Sequence, residues 1–165
     1  MTSLDVEDVF RRHGPAILRR ATTILGDRSE ADDVLQDVFR IVLAKRSAFG
    51  GRSAIGTWLY QVTTRACLNR MRRVRRRSAL LRMRTDEVMP CDDERSPEIM
   101  AQLRQVLEHL PVDLAEVGIH YYVEGMTHDE IACVLGCSRR KVGNLLEKFQ
   151  KRAAKIVASG QEMDR

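Results

Sequence analysis

Thr127-His128-Asp129-Glu130-Ile131-Ala132-Cys133-Val134-Leu135-Gly136-Cys137-Ser138-Arg139-Arg140-Lys141-Val142-Gly143-Asn144-Leu145-Leu146 is the stretch on which the fold turns. Its first four residues fit a capping box, in which the Thr127 hydroxyl accepts from an amide three residues on and Glu130 reaches back. Ile131, Ala132 and Leu135 then share one face of a two-turn helix. Gly136 stands where the chain must turn sharply, and a left-handed backbone suits glycine best. Cys137 fills the turn as a small apolar side chain, and Ser138 is placed to cap a second helix with Val142, Leu145 and Leu146 facing inward. Ala132 is small where two helices must approach closely. The pattern predicts a helix-turn-helix, with Arg139, Arg140, Lys141, Asn144 and Lys148 on the outer face of its second helix. Arginine and lysine pair with phosphates and guanine edges, and asparagine pairs bidentately with adenine. A plain helical hairpin with a solvated basic face has the same periodicity. The basic excess favours nucleic acid.

Moving outward, the net charge of +5 over 165 residues hides a sharper pattern. Nine arginines and no acid lie between Arg65 and Arg84: Arg65, Arg70, Arg72, Arg73, Arg75, Arg76, Arg77, Arg82 and Arg84. The next stretch reverses sign with Asp86, Glu87, Asp92, Asp93, Glu94 and Glu98. A second basic block, Arg139 to Lys155, follows against Glu147 alone. Two basic patches separated by an acidic segment imply two contacts with a polyanion. A membrane surface would also attract them, but these stretches lack the broad apolar face and interfacial aromatics that insertion requires.

Helical spacing governs the rest of the chain. Val6, Val9, Phe10, Ile17, Leu18, Ala21 and Ile24 predict a helix from Leu4 to Leu25, kinked or broken at Gly14-Pro15. After the Gly26-Asp27 turn, Ser29 is expected to cap a helix to Arg46 with Ala31, Val34, Leu35, Val38 and Val42 as its apolar stripe. Phe49-Gly50-Gly51-Arg52 reads as a loop, and a third long helix runs from Ser53 into the arginines. Residues 85–95 read as a flexible acidic linker. Ile99, Leu103, Val106, Leu107 and Leu110 then make a short amphipathic helix, and Asp113 to Val123 another. With 44% apolar and 5% aromatic residues, the composition favours helix over sheet.

Nothing near the start resembles a signal peptide, and no apolar run approaches the ~20 residues of a bilayer span, so a cytoplasmic protein is expected. Cys67, Cys91, Cys133 and Cys137 have no framework spacing, which suits reduced thiols. Cys133 and Cys137 beside His128 raise a metal reading, but no C-x-x-C pair or fourth ligand supports it. No cofactor is expected.

The residues also resemble a family. Asp27-Arg28-Ser29-Glu30-Ala31-Asp32-Asp33-Val34-Leu35-Gln36-Asp37-Val38-Phe39 is similar to the polymerase-docking helix of extracytoplasmic-function sigma factors of bacterial RNA polymerase. Phe49-Gly50-Gly51-Arg52-Ser53 and Thr57-Trp58-Leu59-Tyr60 resemble the loop and helix that open the −10 promoter element. Leu110-Pro111 and Tyr122-Val123-Glu124-Gly125-Met126-Thr127-His128-Asp129-Glu130-Ile131-Ala132 resemble the entry to the domain that reads the −35 element. Four pieces in register cover nearly the whole chain. The resemblance implies that Asp32, Asp33, Gln36, Asp37 and Arg40 dock on core RNA polymerase. It also implies that Trp58, Gln61, Arg65, Asn69, Arg72, Arg73 and Arg76 meet the −10 region, and that Ser138, Arg139, Arg140, Lys141, Asn144 and Lys148 meet the −35 element. Gln61, Arg65, Asn69, Arg72 and Arg76 follow steps of four, four, three and four, a continuous stripe able to track a phosphate backbone. Trp58 near its start suits stacking on an extruded base, or a place in the core beneath the loop.

Some residues depart from the family pattern. Arg65 stands where many relatives place an asparagine, Arg139 and Arg140 replace small residues, and Gly143 and Leu145 replace basic ones. The fold expected is all-helical. Residues 1–84 form a region 2-like domain, 85–95 a linker, 96–159 a region 4-like helix-turn-helix domain and 160–165 a tail. The chain is read as a promoter-selecting initiation factor rather than an enzyme, with core polymerase, promoter DNA and an anti-sigma factor as partners. Two rival readings are a stand-alone helix-turn-helix regulator and a mimic that sequesters an anti-sigma factor.

Overall fold

The computed structural model of the chain describes residues 5–45, 55–81 and 96–163, and all regular structure among them is helical. Helix α1, Val6–Leu25, starts at Asp5, whose carboxylate accepts from the Glu7 and Asp8 amides, and stops at Gly26 with φ of 72°. The helix runs unbroken through Gly14-Pro15. Proline costs one backbone bond and crowds the preceding turn, but Val9, Ile17, Ala21 and Ile24 bury on both sides of it, so packing holds the helix through the defect. Helix α2, Arg28–Lys45, begins one residue before Ser29. Asp27, not Ser29, is its cap: the Asp27 carboxylate accepts from the Glu30 amide at 3.0 Å. Ala31, Val34, Val38 and Val42 form the predicted buried stripe, joined by Phe39, with Leu35 half-buried beside them.

Helix α3, Ile55–Leu81, packs Leu59, Cys67, Leu68 and Met71 against α1 and α2. Thr63 and Thr64 are fully buried on it and donate to the Leu59 and Tyr60 carbonyls at 2.7 and 3.0 Å, so neither hydroxyl is left unpaired. Phe49 to Ser53 and the acidic linker at 85–95 lie outside the described residues.

The second half starts with α4, Pro97–His109, which takes Pro97 in its first turn. Met100 occupies its inward face together with Val106 and Leu107, whereas Ile99, expected to point inward, is exposed. Helix α5, Val112–Gly118, runs directly into a single π turn, Ile119–Val123, so the expected Asp113 to Val123 helix is continuous but widened at its end. Helices α6, His128–Leu135, and α7, Arg139–Met163, complete the chain, α7 continuing past Ser159. Val117, Ile131, Val142 and Leu146 form a small core under the helix-turn-helix. The larger core is shared: Met100, Leu107, Leu110, Leu114, Ile119 and Phe149 join the residues of α1 to α3 in one cluster. Among the described residues no helix is long and apolar enough to cross a membrane.

Gly118 marks the tightest approach in the second half. A Cβ there would lie 2.2 Å from Phe149 Cε2, and the same ring stacks on Tyr122 with centroids 5.2 Å apart. Gly118→Ala is therefore expected to cost about 1–3 kcal/mol, because a ring packed on two sides cannot move aside. Urea unfolding checks this. A change below about 0.5 kcal/mol, ordinary for an open site, would show that the ring does not press on Gly118.

Candidate nucleic-acid interface

The turn that sets the recognition helix is built as its residues require. Thr127 Oγ1 accepts from the Glu130 amide at 3.3 Å, while the Glu130 carboxylate accepts from the Thr127 amide at 2.7 Å. That bond to the Thr127 amide holds the Glu130 carboxyl below its usual range. Gly136 takes φ of 62°, where side chains are strained, and the Cys137 amide donates to the Ala132 carbonyl at 3.0 Å. Ser138 Oγ accepts from the Lys141 amide at 3.2 Å and starts α7. Val142 and Leu146 are buried, which turns Ser138, Arg139, Arg140, Lys141, Asn144 and Lys148 to the exposed side. Arg139 lies 3.7 Å from Asp129 in a widely exposed pair, worth little and easily exchanged for a phosphate.

On α2 the docking candidates share an outward face, but they are not free. Asp37 accepts from Arg40 at 2.9 Å and Asp32 sits 3.5 Å from Arg28. Gln36 and Arg40 are exposed. Asp33 accepts from Arg70 of α3 at 2.5 Å, and the same guanidinium pairs with Glu30. Arg70 thus fixes the first turn of α2 to α3. Its place in a run of nine arginines gave no signal that it differed from its neighbours.

The α3 stripe is divided. Asn69, Arg73 and Arg76 are exposed. Gln61 donates to the Val134 carbonyl of α6, Arg65 Nε to Glu116 of α5 at 3.0 Å, and Arg72 to the Leu110 carbonyl at 2.6 Å. Three of the five stripe residues expected to meet DNA are therefore engaged by the chain's own second half. Trp58 is half-buried and packs against the core.

Beside the stripe lies a polar junction not foreseen in the sequence. Arg20 of α1 pairs with Glu124 and places its guanidinium carbon 3.2 Å from the centre of the Tyr60 ring. His120, fully buried in the π turn, stacks on Tyr60 with centroids 5.6 Å apart and holds Glu124 through Nδ1 at 2.8 Å. Burial, with the Glu124 hydrogen bond adding to it, pushes the Tyr60 phenol well above its ordinary value. The only sequence signal was the four-residue spacing of His120 and Glu124, which has meaning once a helix there is known. Arg104 of α4 crosses the same seam and donates to the Ile24 and Thr23 carbonyls at 3.0 and 3.1 Å.

Among the described residues no three His, Cys, Asp or Glu side chains gather as a metal-ligand set, so Cys133, Cys137 and His128 form none.

Residues 9–77 match the family model described as Sigma-70 region 2, and residues 100–148 match that described as Sigma-70, region 4. The chain is 24% identical over 152 residues to the ECF RNA polymerase sigma factor SigM of Mycobacterium tuberculosis, covering 92% of this chain and 76% of that protein. It is 26% identical over 169 residues to the RNA polymerase sigma factor YlaC of Bacillus subtilis, covering 97% and 96%. Its fold is similar to that of the sigma factor RpoE of Bartonella quintana, solved with the anti-sigma factor NepR. That match has a TM-score of 0.55 and 17% identity over 93% of this chain and 97% of that one. CnrH, solved with the cytosolic domain of CnrY, gives a TM-score of 0.53 and 20% identity, covering 93% and 88%.

The cysteines report on this packing. Cys67 is fully buried, and burial pushes its thiol up to about 12, whereas Cys133 is exposed on α6. Since the thiolate is the reactive form, a small alkylating reagent should modify Cys133 in the native chain and spare Cys67 until urea unfolds it. Peptide mass mapping checks this. Equal labelling of the two in native buffer would contradict the packing of α3 on α1 and α2.

Proposed function

The chain belongs to the sigma-70 family as one of its extracytoplasmic-function members, and from that premise we propose how its parts divide the work of initiation. It binds core RNA polymerase, directs it to promoters and opens the −10 region. The polymerase carries out the chemistry in the cytoplasm. The observation that carries this reading is the capped helix-turn-helix: it turns Arg139, Arg140, Lys141, Asn144 and Lys148 outward on one helix, within the segment that matches region 4. Such a helix suits the major groove of a −35 element, where base edges carry a distinct donor and acceptor pattern.

The region 2 half supplies the other two contacts. Asp32, Asp33, Gln36, Asp37 and Arg40 on α2 offer a mixed-charge face to the polymerase, with Arg70 holding Asp33 and Glu30 in place. Trp58, Gln61, Arg65, Asn69, Arg72, Arg73 and Arg76 of α3 track the −10 strand, the arginines on phosphates. Trp58 is packed against the core, which favours its supporting the base pocket from beneath over stacking on the base. Because CnrH and RpoE were solved with CnrY and an anti-sigma factor, an anti-sigma factor is the expected negative regulator of this chain.

Run-off transcription tests the proposal. Core polymerase plus this chain should yield transcripts with defined start sites, and core alone none. A stand-alone regulator would bind duplex DNA without starting transcripts, and an anti-sigma decoy would do neither. On a promoter so identified, Arg139→Ala or Arg140→Ala should weaken −35 binding by about 1–3 kcal/mol and relax preference at one position. Lys148→Ala should instead weaken all sequences alike and lower the salt slope by about one unit. Binding isotherms at several salt concentrations separate the two. Unchanged affinity and preference in the arginine variants would place the reading face elsewhere.

A further inference from the structure

A cavity of about 460 Å³ lies where α1, α3 and the π turn meet, within the range of about 300–1,000 Å³ usual for sites that hold small molecules. Ile17 and Ile24 of α1, Leu59 of α3 and Val123 of the π turn give it an apolar floor, and all four are buried. The rim is different. Ala16, Arg19 and Gly56 line it from exposed positions, and Arg19 pairs with no acid among the described residues. Arg20 forms part of the wall with a side chain only 10% exposed. Its Nη2 donates to Thr64 at 2.5 Å and Glu124 balances its charge, yet its Nε–H has no acceptor among the described residues. A buried donor without an acceptor is costly. Glu124 is the one acid among the lining residues, and it is already committed to Arg20 and His120.

We infer that this cavity binds a small organic acid, a single carboxylate on a compact apolar body. Charge decides the first part. Two guanidiniums, Arg19 and Arg20, line the cavity against one carboxylate, and His13 adds a ring nitrogen. The hydroxyls of Thr23 and Thr63 already donate to the Arg19 and Leu59 carbonyls, and the Tyr60 phenol is tied to Glu124. The open donors are therefore guanidinium N–H groups, which match a carboxylate with two parallel bonds. An amine would meet like charge there. The floor decides the second part. A nucleotide or sugar phosphate would have to bury hydroxyls and further charge against Ile17, Ile24, Leu59 and Val123, whose side chains offer no hydrogen bond. None of the lining residues is a proposed DNA or polymerase contact, so the site stands independently of the promoter reading.

The test titrates the full chain with octanoate and with 1-naphthoate by isothermal titration calorimetry, beside octanamide and octylammonium. At least one of the acids should bind saturably, one per chain, and should raise the melting temperature, because it binds the folded chain alone. The amide and the amine should bind at least about tenfold more weakly, the scale of one charge-assisted hydrogen bond. Arg19→Gln should weaken the acid by about the same factor and leave octanamide unchanged. Ala16→Phe, at an exposed position with room for a ring, should abolish binding by filling the rim. Arg12→Gln removes the same charge from the same helix outside the cavity and should leave binding as it is, and circular dichroism checks the helicity of all three variants. No saturable binding of either acid up to millimolar concentration would overturn the site. So would octanamide binding as tightly as octanoate, wild-type affinity in Arg19→Gln or Ala16→Phe, or an Arg12→Gln chain as weak as Arg19→Gln.

Discussion

Helix α3 has to satisfy two neighbours at once, and the rest of the molecule is arranged around that demand. Its apolar residues, Leu59, Cys67, Leu68 and Met71, complete the bundle with α1 and α2. Its flank carries Gln61, Arg65 and Arg72 to the second half. Burying Thr63 and Thr64 between these faces is tolerated because each hydroxyl returns its proton to a carbonyl one turn back. A helix this rich in arginine repels itself unless partners share the charge, and the partners are acids or helix ends: Glu30 and Asp33 for Arg70, Glu116 for Arg65, the end of α4 for Arg72.

The same demand explains why the seam between the halves is mixed in chemistry. An apolar strip from α4, α5 and α7 joins the larger core. Around it lie hydrogen bonds to helix carbonyls, which water can replace at modest cost, since a typical intramolecular bond nets about 0.5–1.5 kcal/mol. The buried polar junction of Arg20, Tyr60, His120 and Glu124 is the costlier part, because charges out of water need each other. The π turn at Ile119–Val123 brings His120 and Glu124 to this junction in place of a regular helical turn.

Local rules written into the sequence were legible. The capping box at Thr127, the left-handed Gly136 and the Ser138 cap each depend on residues within a few positions, and all stand as their chemistry requires. The apolar stripe of α2 was equally plain. The helix starts two residues earlier than a Ser29 cap would put it, because Asp27 and Ser29 are both good caps and the bond to the Glu30 amide selects Asp27. Gly14-Pro15 does not break α1, because tertiary packing outweighs one lost backbone bond. The spacing of Gln61, Arg65 and Arg72 placed them on one face, but periodicity cannot say what lies opposite that face. For the same reason Arg70 was indistinguishable from the other arginines, and Arg20, Arg104 and Glu116, far apart in the chain, carried no signal of the seam they form.

As a sigma factor, this chain is expected to make polymerase open promoter DNA rather than to bind DNA for its own sake. Permanganate footprinting on a linear promoter fragment tests it most directly, because permanganate attacks thymines only once they are unstacked. With core polymerase and this chain together, reactive thymines should appear within the −10 region, and neither component alone should produce them. A footprint from the chain alone over duplex DNA, with no reactive thymines when core polymerase is added, would contradict the account.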